Sequence, residues 1–276
     1  MAVVTFFTSS PASWIIFLTV VGLLVGSFLN VVIYRLPLIL QQYRQPDHRI
    51  KGNGLSLSLP ASHCPHCHQK LTCLDNMPLL SYILFGGRCR YCKIRIAWHY
   101  PLVELLSAGL SALIAWHFAF SWIALTSCVL VWCLIPLAVI DLRHQILPDQ
   151  ITLPLMWLGI VINSFSLYTD MHSSVFGAIA GYLSLWCVFH LFRLITGKYG
   201  MGYGDFKLLA ALGAWLGWQS LPTIILLSSF SGAMIGVGLL LFKRYQRDTP
   251  MPFGPYLVLA GWVVLMTGGA LNPFYL

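Results

Sequence analysis

The sequence predicts an all-α polytopic membrane protein, with about eight transmembrane helices and a zinc-binding cytoplasmic loop between the first two. Three observations carry this. Of the 276 residues, 58% are apolar or aromatic and only 9% are charged, against about 25% charged in an ordinary soluble domain. So few charges could not cover a soluble surface. Apolar runs of about eighteen or more residues recur, each long enough to cross a hydrocarbon core of roughly 30 Å. Finally, the Lys and Arg residues all fall on one side of the threading these runs define.

The first span is read over residues 12–33. Residues 1–14 carry no Lys or Arg, so the positive n-region of a secretory signal is missing and a retained span is expected. A polar stretch follows over 35–100. Spans two and three lie near 101–118 and 122–140, with almost no loop between them. Span four covers about 151–166 and span five about 175–195. Span six, 206–216, is short and rich in Ala, Gly and Trp. Spans seven and eight fall at 221–241 and 255–268. Neither an internal repeat nor a low-complexity tract is found. The expected division is a first helix over 1–35, a loop over 36–100 and a seven-helix membrane domain over 101–276.

Placing the 35–100 stretch in the cytoplasm puts Arg35, Arg44, Arg49, Lys51, Lys70, Arg88, Arg90, Lys93 and Arg95 there. Threading the spans adds Arg143, Arg193, Lys198, Lys207, Lys243, Arg244 and Arg247, which completes the sixteen basic residues of the chain. The positive-inside rule is then obeyed without exception. Both termini are expected on the periplasmic side, and the bilayer is the expected partner. The net charge of +8 follows from this topology, so no nucleic-acid partner is expected.

The loop holds Cys64-Pro65-His66-Cys67 and then Cys89-Arg90-Tyr91-Cys92. Two such pairs have the spacing of a structural four-thiolate zinc site. Metal binding supplies folding free energy to a segment with little core of its own. A redox dithiol is the rival reading of Cys-Pro-His-Cys, and unmetallated thiols a third. Zinc is favoured, because a second pair stands nearby, no strand-helix-strand pattern surrounds the first, and the cytoplasm is reducing. His63, His66, His68 and Cys73 are substitute ligands. Cys128, Cys133 and Cys187 lie in apolar spans and read as packing residues.

The chain has only eight acidic residues. Asp141 ends span three in Val139-Ile140-Asp141-Leu142-Arg143-His144, and Asp205 opens span six in Gly202-Tyr203-Gly204-Asp205-Phe206-Lys207. Carboxylates near membrane depth are costly and mark function or a paired partner. Two at matching depth on different spans form a candidate catalytic dyad that shares one proton. The ionised member could deprotonate water, and the protonated one could polarise a carbonyl and then protonate the leaving amine. Gly202 and Gly204 would let the backbone approach an extended substrate. From the residues alone, catalysis stands level with an N-cap role for Asp205 and with an Arg143 pairing for Asp141. Asp149 reads first as the N-cap of span four, and Glu104 as a helix-dipole residue in the first turn of span two. Asp47, Asp75, Asp170 and Asp248 read as solvated loop residues.

The ordered set of motifs resembles the type IV prepilin leader peptidase and N-methyltransferase family. It comprises Gly26-Ser27-Phe28-Leu29-Asn30-Val31-Val32-Ile33-Tyr34-Arg35-Leu36-Pro37, the double cysteine pair and Tyr100-Pro101-Leu102-Val103-Glu104-Leu105-Leu106. It continues with Asp141-Leu142-Arg143-His144-Gln145-Ile146-Leu147-Pro148-Asp149, Gly202-Tyr203-Gly204-Asp205 and Pro252-Phe253-Gly254-Pro255-Tyr256. The resemblance implies a bacterial inner-membrane enzyme that removes a short basic leader from prepilins or pseudopilins. It then N-methylates the new terminus with S-adenosylmethionine. It places the catalytic aspartates at Asp141 and Asp205 and the four-cysteine feature at Cys64, Cys67, Cys89 and Cys92. Three competitors are weaker. A presenilin-like protease leaves the cysteine loop unexplained. An ion- or metal-coupled transporter predicts midplane charges and often a repeat. A membrane thiol-disulfide enzyme leaves the aspartates without a role.

Overall fold

The computed structural model describes residues 7–8, 10–44, 56–57, 59, 63–64, 66–72, 75, 77–197, 201–241 and 251–268. Asp47, Arg49, Lys51, Cys73, Lys198, Lys243, Arg244, Arg247, Asp248 and both chain ends lie outside the described residues. The described helices are α1 (Pro11–Arg44), α2 (Leu80–Leu84), α3 (His99–Phe118), α4 (Trp122–His144), α5 (Asp149–Asn163), α6 (Met171–Thr196), α7 (Tyr203–Leu216), α8 (Leu221–Leu241) and α9 (Gly254–Thr267). Among the described residues there is no strand, only two isolated β-bridges. The all-helical expectation holds.

Among the described residues, five helices are long and apolar enough to cross a membrane. They are α1, α3, α4, α6 and the segment ending in α8. Helices α5, α7 and α9 have 15, 14 and 14 residues. At 1.5 Å per residue each reaches only about 21–23 Å, short of a full hydrocarbon core.

The chain divides into two compact units, Met1–Pro136 and Leu137–Leu276. In the first, α1 continues past the expected end at Ile33 and reaches Arg44. Arg35 does not stop it, because its side chain is buried and donates from Nη1 to the carbonyls of Ser56 and Leu57 at 3.1 and 3.2 Å. A charge satisfied in this way can sit inside the packed unit. Helix α1 packs on α3 through Gly22 and Gly26, a small-xxx-small pair. A Cβ on Gly22 would lie 2.5 Å from Ser111 Oγ, and one on Gly26 2.8 Å from Glu104 Cα. Asn30 Nδ2 donates to the Tyr100 carbonyl at 3.0 Å and Trp132 Nε1 to Ser111 Oγ at 3.0 Å.

In the second unit, α7 is enclosed. Every residue from Asp205 to Leu216 except Lys207 is buried. Its last carbonyls, which have no intrahelical donors, are met by buried side chains. Asn163 Nδ2 donates to Ala214 O at 2.8 Å and Trp215 O at 2.9 Å, and Ser174 Oγ donates to Ala214 O at 2.6 Å. Gly177 of α6 and Gly213 of α7 meet backbone to backbone. A fourteen-residue helix can therefore persist here because protein, not lipid, surrounds it.

Candidate active site and candidate metal centre

The second unit builds a carboxylate pair. Asp141 lies near the end of α4, whose last residue is His144; Gln145 closes the turn with φ 54° and donates its N–H to the Asp141 carbonyl at 2.9 Å. Asp205 is the third residue of α7, whose N-cap is Gly202. The two residues are 5% and 6% exposed. Their carboxyls lie within electrostatic reach of each other.

The two carboxyls are held differently. Asp141 Oδ2 accepts the backbone N–H of Gly254 at 2.9 Å. Gly254 is the first residue of α9 and is followed by Pro255. The N–H groups of a helix's first turn lack intrahelical acceptors and point outward with partial positive charge. One of them is spent on Asp141, so Arg143 is not its partner. Asp205 Oδ1 is buried and has no hydrogen-bond partner among the described residues. Asp205 is not the N-cap of α7, which is Gly202, though its carboxyl takes a hydrogen bond from the Gly202 backbone. An orphaned buried carboxylate oxygen calls for an explanation.

The neighbouring residues fix the frame. A Cβ on Gly204 would lie 2.6 Å from Leu147 Cβ, so that face of Gly204 is occupied by the loop after α4. Among the described residues, only Asp205 Oδ2, at 3.7 Å, would meet a Cβ on Gly202. Asp149 is the first residue of α5, with Pro148 at the N-cap. It does not cap the helix as expected. Its carboxylate takes both of its hydrogen bonds from Lys207 Nζ at 2.7 Å. This partly exposed ion pair ties α5 to α7 two residues beyond Asp205.

The first unit builds the cysteine cluster from two matching knuckles. In one, Cys64 N–H donates to Gln69 O at 3.0 Å and His68 N–H to Cys64 O at 2.9 Å. In the other, Cys89 N–H donates to Ile94 O at 2.9 Å and Lys93 N–H to Cys89 O at 3.0 Å. His68 and Lys93 both have positive φ, 56° and 59°. A bridge closes each knuckle, His63 to Lys70 and Arg88 to Arg95. The four sulfurs of Cys64, Cys67, Cys89 and Cys92 lie within 4.8 Å of one another. Cys64 Sγ and Cys92 Sγ are 3.8 Å apart, which matches the spacing of about 3.8 Å that 2.3 Å metal–sulfur bonds give in a tetrahedron.

The thiols also need a cation. Burial pushes the Cys64 thiol up, but the backbone N–H groups of Cys67 and His66 and the neighbouring thiols outweigh it and hold Cys64 down to about 6. Cys92 is pushed up to about 11, where burial and the other three thiols outweigh its backbone bond to Ile94. Four sulfurs this close cannot all ionise without positive charge among them. The cluster can hold a metal ion. His63, His66 and His68 are outside it.

The helix dipole does not account for Glu104. Helix α3 begins at His99, so Glu104 lies beyond its first turn. Its Oε2 accepts the Leu79 N–H at 2.9 Å, and its carboxylate also takes a hydrogen bond from the Ser27 side chain. Gly254 and Glu104 stand in quoted motifs, but neither contact partner was readable from spacing. Both contacts join segments far apart in the chain.

Fold and sites together define a polytopic helical membrane protein with a buried aspartate pair and a four-cysteine cluster that can hold a metal ion. A family model described as Bacterial Peptidase A24 N-terminal domain matches residues 20–118, and one described as Type IV leader peptidase family matches residues 128–237. A prepilin leader peptidase/N-methyltransferase from Stutzerimonas stutzeri is 49% identical over 284 residues, covering 100% of this chain and 98% of the relative. One from Pseudomonas aeruginosa is 47% identical over 285 residues, with 100% and 98% covered. One from Dichelobacter nodosus is 44% identical over 273 residues, with 95% and 94% covered. No solved structure matches the chain. The chain belongs to the prepilin leader peptidase/N-methyltransferase family.

Proposed function

We infer that this protein cleaves the leader peptide from prepilins or pseudopilins and then N-methylates the new terminus, with Asp141 and Asp205 as the catalytic pair. The observation that carries the catalytic assignment is the orphaned Oδ1 of Asp205 beside an Asp141 already anchored by Gly254. In this reading the ionised member of the pair takes a proton from water. The protonated member polarises the scissile carbonyl and then protonates the leaving amine. Gly202, which no described residue but Asp205 crowds, lets an extended substrate approach; Gly204 packs the Asp205 turn against Leu147.

The 36–100 segment and the first helix serve methylation, and residues from 101 onward form the peptidase. A zinc ion held by Cys64, Cys67, Cys89 and Cys92 is structural: it closes both knuckles on one centre. S-adenosylmethionine is the methyl donor. The cysteine segment faces the cytoplasm of a bacterial inner membrane and the termini face the periplasm, a reading that the distribution of basic residues supports.

The test is a mass measurement on a prepilin mixed with purified protein and S-adenosylmethionine. Wild type removes the leader and adds one methyl group. Asp141→Asn and Asp205→Asn leave the substrate uncut. A folded wild type that cuts none of several prepilins contradicts the reading and favours the transporter alternative.

A further inference from the structure

The segment before the second cysteine pair is apolar on the wrong side for a soluble loop. Within α2, Leu80, Ile83 and Leu84 are 51%, 72% and 76% exposed, while Ser81 and Tyr82 are half-buried. Positions i, i+3 and i+4 share one helix face, so the three side chains form one outward apolar surface. Met77 just before them is exposed as well. Tyr82 packs on the second knuckle, where a Cβ on Gly87 would lie 2.9 Å from its ring.

The depth of this surface is set by a membrane helix. Helix α3 has 20 residues, or about 30 Å, the thickness of a hydrocarbon core. Arg95 and the exposed Trp98 stand just before it, as residues of the membrane boundary do. Glu104 lies about 8 Å along the axis from His99. Its carboxylate holds the Leu79 N–H at 2.9 Å, so the start of α2 is pinned at that depth. Leu79 has φ 54°, a strained value for a branched-chain apolar residue, which the Glu104 bond helps to maintain. Arg88, Arg90, Lys93 and Arg95 follow, all exposed, and Arg90 lies over the Phe85 ring at 5.8 Å. An apolar face at a depth of about 5–10 Å with cations beside it is the pattern of an interfacial helix on anionic lipid.

We propose that α2 is a membrane-inserted anchor: Leu80, Ile83 and Leu84 enter the acyl region of the leaflet on the four-cysteine side, and Glu104 holds the turn that delivers them. The partner is the bilayer itself. The anchor seats the second cysteine knuckle on the lipid surface through the Tyr82–Gly87 contact.

The test uses the full wild-type chain in phosphatidylethanolamine–phosphatidylglycerol vesicles. One sample is photolysed with a membrane-partitioned diazirine and another with a water-soluble one, and labelled residues are mapped by mass spectrometry. The lipid-phase reagent should label Leu80–Leu84 within about twofold of Leu105–Leu106 on α3, and roughly tenfold above Arg90–Lys93. Labelling of Leu80–Leu84 by the water-soluble reagent alone overturns the proposal. Labelling by neither also overturns it, because protein would then cover the face.

Discussion

The N–H of Gly254 donates to Asp141 Oδ2 at 2.9 Å, and a Cβ on Gly254 would lie 2.7 Å from that same oxygen. The first residue of α9 thus sets where one carboxyl of the pair stands, and it can do so only without a side chain. Gly254 is the first residue of α9, and Ala is a better helix former than Gly, so in Gly254→Ala a stability loss from propensity is not expected. What it does is push the Asp141 carboxyl out of place. Leader cleavage should fall about a hundredfold, as misplacement of about 1 Å does elsewhere. The purified protein should keep its thermal stability within a few degrees. A cleavage rate within twofold of wild type would contradict this role.

The Lys207–Asp149 pair should matter little. Its two side chains are 28% and 51% exposed, and such pairs contribute about 0–1 kcal/mol. Lys207→Ala should lower stability by less than about 1 kcal/mol and leave most of the cleavage activity. A near-total loss of cleavage in Lys207→Ala would place that lysine in the chemistry.

The helix pair α1 and α3 should not tolerate bulk at its glycines. A leucine at Gly26 must displace the α3 backbone at Glu104, since even a Cβ would approach Glu104 Cα to 2.8 Å. Overpacking of this kind costs about 1–3 kcal/mol. Gly26→Leu should lower the melting temperature, and Gly109→Leu, with no atom within 4 Å of a Cβ, should not.

The cysteine cluster predicts a metal content and a pH dependence. One zinc per chain is expected by elemental analysis, and none in Cys64→Ser. The Cys64 thiol, held down to about 6 from an ordinary value near 9, is ionised in the folded chain across that window and protonated in the unfolded one. Its contribution is therefore full above pH 9 and is lost as pH falls through about 6, because the folded state must then take up the proton. Metal should be released over the same acidic range. Retention of the metal well below pH 5 would contradict a thiolate site.

Much of this was legible in the sequence because charge is so scarce. With eight acidic residues in the chain, two at the ends of apolar runs drew notice at once. Paired cysteines fix their own geometry over a few residues, so the knuckles could be expected from spacing. The Gly254 contact could not: α9 starts more than a hundred residues after Asp141, and nothing local to Gly254 encodes its acceptor. The end of α1 was misplaced because Arg35 reads as a terminator until its buried carbonyl partners are seen. The apolar face of α2 was passed over as part of a polar stretch, since Ser81 and Tyr82 break its run and only the helix brings Leu80, Ile83 and Leu84 together.

The central claim is that Asp141 and Asp205 act as one unit, and a double-mutant cycle tests it most directly. Leader-cleavage rates are measured for Asp141→Asn, Asp205→Asn and the double variant, each verified as folded and membrane-inserted. Each single change should lower the rate by roughly 10⁴-fold or more, and the double should be no slower than either. Losses that multiply in the double variant, or a single variant that cleaves near the wild-type rate, would contradict the pair.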